Sequence, residues 1–274
     1  MDDPARHPGL LDGRLRVATW NLWWRFGPWE ERLPRIVEEL RRVDADVVAL
    51  QEVWAADGTS SADVIADELG LERVVGADLE MAPGVLFGNA VLSRWPIEGS
   101  EVRRLPAGDV RDERRLVLRA DVAGPKGPLQ VFSTHLNWRF DQSAVRQLQV
   151  EAIADFVQDS RPRTYPPIVC GDFNAEPGSD EMRTLTGQRP VASGLVMHDC
   201  WRAVHATDPG FTWDNENPFV ANQLELTRRI DYVLAGWPKA GGAGHAVSAE
   251  LIGSRPVDGM YPSDHFGVIV ELRY

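Results

Sequence analysis

The sequence predicts an α/β fold in which two mixed β-sheets pack together with helices on their outer faces. Three observations lead there. Apolar runs of strand length recur along the chain, and two of them are joined as a clear hairpin; helical periodicity appears in only a few places; Gly/Pro turns punctuate the whole with no internal repeat, low-complexity tract or interdomain linker. A chain of 274 residues is within the range that layered α/β folds fill as one unit. Residues 15–274 are therefore read as a single domain behind an N-terminal tail, residues 1–14.

Taken in order, residues 15–20 and 46–50 are apolar strands, and between them Leu33, Ile36, Val37 and Leu40 fall on one helical face. Residues 61–69 form a second helix, and residues 88–93 a strand that ends at the turn Trp95-Pro96. Residues 116–122 and 129–134 are strands of a hairpin closed by Gly124-Pro125-Lys126-Gly127-Pro128. The strongest helix follows, with Ser143 as its cap and Val145, Leu148, Ala152, Ile153, Phe156 and Val157 as its buried stripe. Residues 168–171 are a buried strand, residues 181–185 a short helix, and residues 230–234 and 266–272 late strands. The Gly-rich stretch 238–244 is expected to be a mobile loop.

Composition excludes several classes. Hydrophobic residues at 43% and charged residues at 26% are ordinary for a soluble globular protein with a full core. Cys170 and Cys200 are too few for a disulfide framework or a zinc cluster, and Cys170 lies in an apolar run as a core thiol. No run approaches the ~20 apolar residues of a membrane helix. The start, Met1-Asp2-Asp3-Pro4-Ala5-Arg6, has no apolar signal core, so a cytoplasmic location is expected; a signal removed beforehand would leave the same sequence. A net charge of −12 argues against a general DNA-coating role, although a metal in a cleft can supply positive charge locally. No protein partner can be inferred.

Polar residues repeatedly stand at the ends of the apolar strands: Asn21, Glu52, His135, Asp172, Asn174, and Asp264-His265, with Asp231 inside a late strand. Taken singly, each has a plain explanation. Glu52 reads as a turn residue, His135 as a structural histidine, and Asp231 as a carboxylate bonded to a nearby amide. Together they describe a sheet rim where side chains converge on a cleft. Hard oxygen ligands such as Asn21, Glu52 and Asp264 suit magnesium or manganese better than zinc. His265 backed by Asp231 is a candidate base, Asp172 beside Asn174 an alternative one, and His135 with Asn174 would donate to developing negative charge. Such an assembly suits attack of water on phosphorus without a covalent intermediate.

At this point the sequence resembles a known family. Thr19-Trp20-Asn21, Gln51-Glu52-Val53, Gly88-Asn89-Ala90-Val91-Leu92-Ser93-Arg94, Thr134-His135-Leu136, Gly171-Asp172-Phe173-Asn174, Arg229-Ile230-Asp231-Tyr232 and Ser263-Asp264-His265 resemble, in order, the signature blocks of the endonuclease/exonuclease/phosphatase superfamily. One block alone would be weak evidence; the ordered set, from about residue 15 to the end, is specific. The resemblance implies a DNase I-like four-layer αββα sandwich with its site between the rims of two sheets. By motif, it implies Glu52 as principal ligand of a magnesium or manganese ion with Asn21 and Asp264 nearby. Asp172 and Asn174 would handle the nucleophile, His265 would pair with Asp231, and His135 would touch the phosphate. Abasic-site endonucleases carry a tyrosine in the block of His135, which points instead to the DNase, deadenylase or sphingomyelinase branches.

Substrate clues conflict. The stretch Phe211-Thr212-Trp213-Asp214, Asn217-Pro218-Phe219-Val220 and Gln223-Leu224 resembles neutral sphingomyelinases, yet no leader or membrane helix accompanies it. Ten tryptophans are many, and Trp23, Trp24, Trp54 and Trp138 lie within three residues of a candidate site residue. Core packing explains most such rings; near a phosphoester site they also stack bases. The substrate-contacting set is read as Trp24, Arg25, Asn89, Asn137, Trp138 and Arg139, since aromatic and arginine together offer stacking and phosphate contact. A nuclease-like phosphodiesterase acting on nucleic acid or nucleotide is the favoured reading. A lipid or sugar-phosphate headgroup hydrolase is the alternative, and a catalytically silent phospholigand-binding protein the third.

Overall fold

The computed structural model describes residues 9–108, 113–160, 164–221 and 224–274. Most of the expected tail (residues 1–8) and Gln223 lie outside the described residues. In chain order the first half comprises β1 (Arg14–Asn21), α1 (Trp29–Val43), β2 (Val47–Ala56), β3 (Thr59–Ser60), α2 (Ser61–Leu69), β4 (Glu72–Ala82), β5 (Val85–Ser93) and β6 (Ile97–Arg104). The second half comprises β7 (Leu116–Gly124), β8 (Gly127–His135), α3 (Ser143–Asp159), β9 (Ile168–Asp172), α4 (Asp180–Leu185), β10 (Met197–Asp199), α5 (Cys200–Val204), α6 (Pro218–Ala221), β11 (Asp231–Gly236), β12 (Ala246–Ile252) and β13 (Gly267–Arg273).

These strands form two sheets, ordered β12-β13-β1-β2-β5-β4 with β3 on β2, and β10-β11-β9-β8-β7-β6. Each sheet has one parallel pair at its centre, β1 with β2 and β8 with β9, among antiparallel neighbours. Alternation along the strands sorts the core into three layers. Val17, Val47, Val268 and Val270 of the first sheet meet Leu118, Val131, Ile168 and Cys170 of the second between the sheets. Ala18, Trp20, Val48 and Leu50 face outward onto Ile36, Leu40, Ile65 and Ala66 of α1 and α2. Phe132, Val169 and Leu234 face outward onto Ile153, Phe156 and Met182 of α3 and α4. The central strands are buried on both faces, which is why they read as continuous apolar runs. The four-layer αββα sandwich is therefore the observed architecture.

Local chemistry explains the ends of α2: the Ser60 hydroxyl accepts from Asp63 N (3.0 Å), and Gly70 takes φ 66 at the other end, where a side chain would be strained. Three expectations need correcting. Ser143 is not a cap; a 3-10 turn, Phe140–Gln142, precedes α3, and the capping residue Gln142 makes no side-chain cap bond. Leu148 is 49% exposed, while Arg146 and Gln149 occupy the buried face instead. Stretch 238–244 is tied down, with Leu11 N donating to Gly241 O and Gly244 N to Arg273 O, both at 2.9 Å. Cys170 and Cys200 are buried free thiols, and burial pushes the pKa of each thiol up, making it a weaker acid. Among the described residues, no helix is long and apolar enough to cross a membrane.

The outer layer of the second sheet depends on Phe156, which is fully buried and meets Phe132 edge-on with ring centroids 5.4 Å apart. Phe156→Ala should destabilise the protein by about 3–5 kcal/mol in urea unfolding. A loss under about 1 kcal/mol would show that α3 contributes little to this core.

Candidate active site

Both parallel pairs end at the same rim. Asn21 ends β1, His135 ends β8 and Asp172 ends β9, while Asp231 begins the antiparallel β11. His135, Asp172 and Asp231 are direct cross-strand neighbours, so pairing register alone sets them in a row. Glu52 lies where β2 slips register against β5, between Leu50 and Val53, and takes φ 54, a left-handed conformation rarely adopted by a glutamate. At Gly171 (φ 150) an added Cβ would stand 2.0 Å from Thr134 O, so only glycine lets β9 approach β8 this closely beside Asp172. A polar tie holds the two rims together. Buried Gln51 of the first sheet accepts from Thr19 Oγ1 (3.2 Å) and donates to Ser133 Oγ of the second (3.1 Å).

Within this frame Asn21 Nδ2 donates to Glu52 Oε1 (3.1 Å) and Asp172 Oδ2 (3.0 Å), and its Oδ1 accepts from Trp23 N (3.0 Å). Asp172 Oδ1 accepts from Asn174 N at 2.9 Å. His135 Nε2 lies 3.4 Å from Asp172 Oδ2, with Nδ1 4.0 Å from Glu52 Oε1. His265 Nδ1 bonds Asp231 Oδ2 at 2.9 Å and turns Nε2 towards Asp172 Oδ2, 3.7 Å away. The loop carrying Asp264 and His265 is fixed by Ser263 Oγ on Asn21 O (2.7 Å), Trp20 Nε1 on His265 O (3.0 Å) and Asn217 Nδ2 on Ser263 O (2.8 Å). Trp213 packs edge-on against the His265 ring at 4.8 Å.

Burial and neighbouring charges shift three acids of this small, dry space. Burial and the nearby Asp231 raise Asp172 to about 7, against the pull of His265. Burial raises Asp264 to about 7 as well, with Glu52 adding repulsion. Glu52 is raised by burial, partly offset by Asn21 and His265. Burial alone would lower His265, but Asp231, Asp172 and Asp264 outweigh it and hold the imidazole protonated. His135 goes the other way: burial, then Arg115 and His265, keep it neutral. Glu52 Oε2 has no hydrogen-bond partner among the described residues.

The cluster opens into a cavity of about 1010 Å³. Glu52, His135, Asp172, Asn174, Asp264, His265, Trp138 and Arg139 of the candidate set line it. Asn21 and Asp231 stand directly behind, bonded to lining residues. Asn21 was expected to offer oxygen, yet it presents nitrogen to both carboxylates. Four substrate-contact assignments are corrected. Trp24 points away and donates to Leu86 O (3.1 Å), and Arg25 is stacked over Trp29 and Trp54 at 4.9 and 4.2 Å. Asn89 is buried and donates to Leu116 O (3.3 Å) and Ser133 O (3.4 Å). Asn137 turns inward, accepting from Gln149 Nε2 at 2.7 Å. The walls that were missed include Leu79, Met81 and Phe87, and two arginines, Arg115 and Arg228. Arg115 is bonded to Glu113 at 2.7 Å and Arg228 to Glu225. No sequence signal marks these arginines apart from their glutamate neighbours two and three residues upstream.

Residues 18–265 match the model of the Endonuclease/Exonuclease/phosphatase family. The chain is 31% identical over 209 residues to the uncharacterized protein YbhP of Escherichia coli, covering 67% of this chain and 80% of that one. It is 26% identical over 192 residues to the inositol phosphosphingolipids phospholipase C of Saccharomyces cerevisiae, covering 64% of this chain but only 38% of the yeast protein. Among solved structures, an endonuclease/exonuclease/phosphatase from Beutenbergia cavernae superposes with a TM-score of 0.74 at 26% identity, covering 95% of this chain and 71% of that one.

The loop that carries Trp138 and Arg139 is propped from α3: Gln149 Oε1 accepts from Asn137 N (3.2 Å), and Arg146 Nη1 donates to the carbonyls of Asn137 (3.1 Å) and Arg139 (2.6 Å). Gln149→Leu removes the partner of the buried Asn137 backbone N and of its side-chain Oδ1, leaving only the Arg146 bond to its carbonyl among the described contacts. It should lower stability in urea unfolding by about 1–3 kcal/mol; an unchanged midpoint would mean that the loop is held by other contacts.

Proposed function

The chain belongs to the endonuclease/exonuclease/phosphatase family, and from that premise we propose that it is a magnesium- or manganese-dependent phosphodiesterase in which water attacks phosphorus directly. One observation carries this most of the way. A buried row of acid and imidazole groups faces a carboxylate, Glu52, whose second oxygen has no partner among the described residues.

The residues fit a hard cation. Glu52 and Asp264 are buried acids that repel each other, the arrangement a divalent ion relieves. Asn21 orients Glu52 and is the adjoining amide. Asp172, Asp231 and His265 also bring ligand atoms within 4.8 Å of one another. That trio is read differently, because His265 Nδ1 is already bonded to Asp231 and magnesium prefers oxygen to imidazole. Bound beside Glu52 and Asp264, magnesium or manganese would neutralise charge on the phosphoryl and leaving oxygens.

The chain's own groups supply the rest. Asp172, near neutrality in its proton affinity, takes a proton from water as the water oxygen bonds to phosphorus. The bond from phosphorus to the leaving oxygen breaks, and that oxygen takes a proton from solvent. His265, held as a cation by Asp231, donates from Nε2 to the growing negative charge rather than serving as base. Neutral His135 and Asn174 add donors on the other side. This assigns the base role to Asp172, a choice the sequence alone leaves open.

The substrate we propose is a small diester with one charged phosphate and an apolar or aromatic flank. Leu79, Met81, Phe87 and Phe26 provide an apolar wall, and the inward arginines Arg115 and Arg228 are each paired with a glutamate. A long nucleic-acid strand would find few uncompensated cations here. A nucleotide or short strand remains the second reading. Its support is Trp138, 53% exposed at the mouth with the Arg139 guanidinium 5.5 Å from its ring, a stacking platform.

Chelator should abolish turnover and magnesium or manganese restore it, while Asp172→Asn and His265→Gln each lower kcat by ~100-fold or more in folded protein. Full turnover in excess chelator, or near-parental rates in both variants, would remove this reading. A manganese-supplemented panel of a chromogenic phosphodiester, dinucleotides, single- and double-stranded DNA, sphingomyelin vesicles and inositol phosphates should show small diesters cleaved faster than long DNA. The reverse order favours the nuclease reading.

A further inference from the structure

Arg32 is a buried charge that the chemistry above leaves unused. It lies near the start of α1, is 1% exposed, and its hydrogen-bond acceptors among the described residues are all backbone carbonyls. Nη1 donates to Leu22 O (2.8 Å) and Pro262 O (2.9 Å). Nη2 is shared among the carbonyls of Trp23 (2.9 Å), Trp24 (3.2 Å) and Phe26 (2.9 Å). The Trp23 ring covers the guanidinium at 4.7 Å. Trp23 and Trp24 take φ 58 and 34, a left-handed stretch that bulky residues avoid unless something holds it. Here five carbonyls converge on one cation.

The two segments it joins are those that present the site. Leu22 directly follows Asn21, and Pro262 directly precedes Ser263-Asp264-His265. Trp23 and Phe26 line the cavity wall. Burial lowers Arg32 to about 10 while Asp264 and Glu52 pull the other way, so the side chain stays charged at neutral pH. A planar fork reaches carbonyls on both segments at once; a lysine ammonium is a single point on a flexible stem.

We propose that Arg32 is a positioning residue, clamping residues 22–26 to Pro262 and thereby setting where Asn21 and Trp23 stand relative to Asp264 and His265 before cation or substrate binds. Its kinetic consequence rests on the phosphodiesterase reading above; its structural consequence does not.

The test is Arg32→Lys in the full chain, read by hydrogen exchange, manganese titration and steady-state kinetics on a chromogenic phosphodiester. Exchange should quicken in peptides covering residues 22–27 and 260–265 together, with α3 unchanged. Manganese affinity should fall ~10-fold, and kcat ~10- to 100-fold with KM moving less than ~3-fold. A lower Tm with exchange, manganese affinity and kcat of the folded protein all within ~2-fold of the parent would make Arg32 a stability residue only and overturn the clamp. No turnover in the parent would count against the phosphodiesterase reading, leaving exchange and manganese binding to judge Arg32. Should the variant not fold, native-state exchange of the unsubstituted protein decides. Opening of both segments at one denaturant dependence supports the clamp, and independent opening overturns it.

Discussion

The site depends on a concentration of negative charge that the fold has taken out of water. Glu52, Asp172, Asp231 and Asp264 are gathered at one rim, and a dry setting makes their mutual repulsion stronger than it would be at a surface. The chain offsets this with groups of three kinds. His265 carries a positive charge held by Asp231, Asn21 gives an amide hydrogen to each of two acids, and Arg32 contributes a cation from below. What remains unbalanced is on the Glu52 side, where a hard ion would complete the arrangement. The same balance shapes the outer cavity, where arginines enter already matched with glutamates.

Much of this was legible in the sequence, for a physical reason. A strand buried on both faces is apolar until it emerges at the rim, so the first polar residue after the run marks the rim itself. Asn21, His135 and Asp172 are visible for that reason. Strands whose sides are partly wet carry no such contrast: β4 and β6 consist mostly of exposed and half-buried positions, and neither stands out as an apolar run in the sequence. Side-chain direction was the harder matter. Trp24, Arg25 and Asn137 follow closely on Asn21 and His135 in sequence and Asn89 lies within β5, yet left-handed turns and strand alternation send them elsewhere.

Polar residues on α3 give the reverse lesson. A hydrophobic stripe predicts Leu148 inside, but Arg146 and Gln149 are buried because an irregular loop needs bonding partners more than apolar cover. The same need explains Arg32. Segments that form a cleft wall have few ladder bonds of their own, so long side chains from neighbouring helices satisfy them. Stability and site geometry therefore share residues in this protein, and arginines that look like surface charges on a helical wheel are interior struts.

The row of His135, Asp172 and Asp231 has a further consequence. Because each occupies the directly opposed position on an adjacent strand, a slip of one residue in either pairing would turn side chains of the slipped strand to the opposite face of the sheet. There is no halfway geometry in which the three are merely loosened. A misaligned molecule is thus silent rather than sluggish, and the specific activity of a preparation becomes a head count of chains that zipped up in the native alignment.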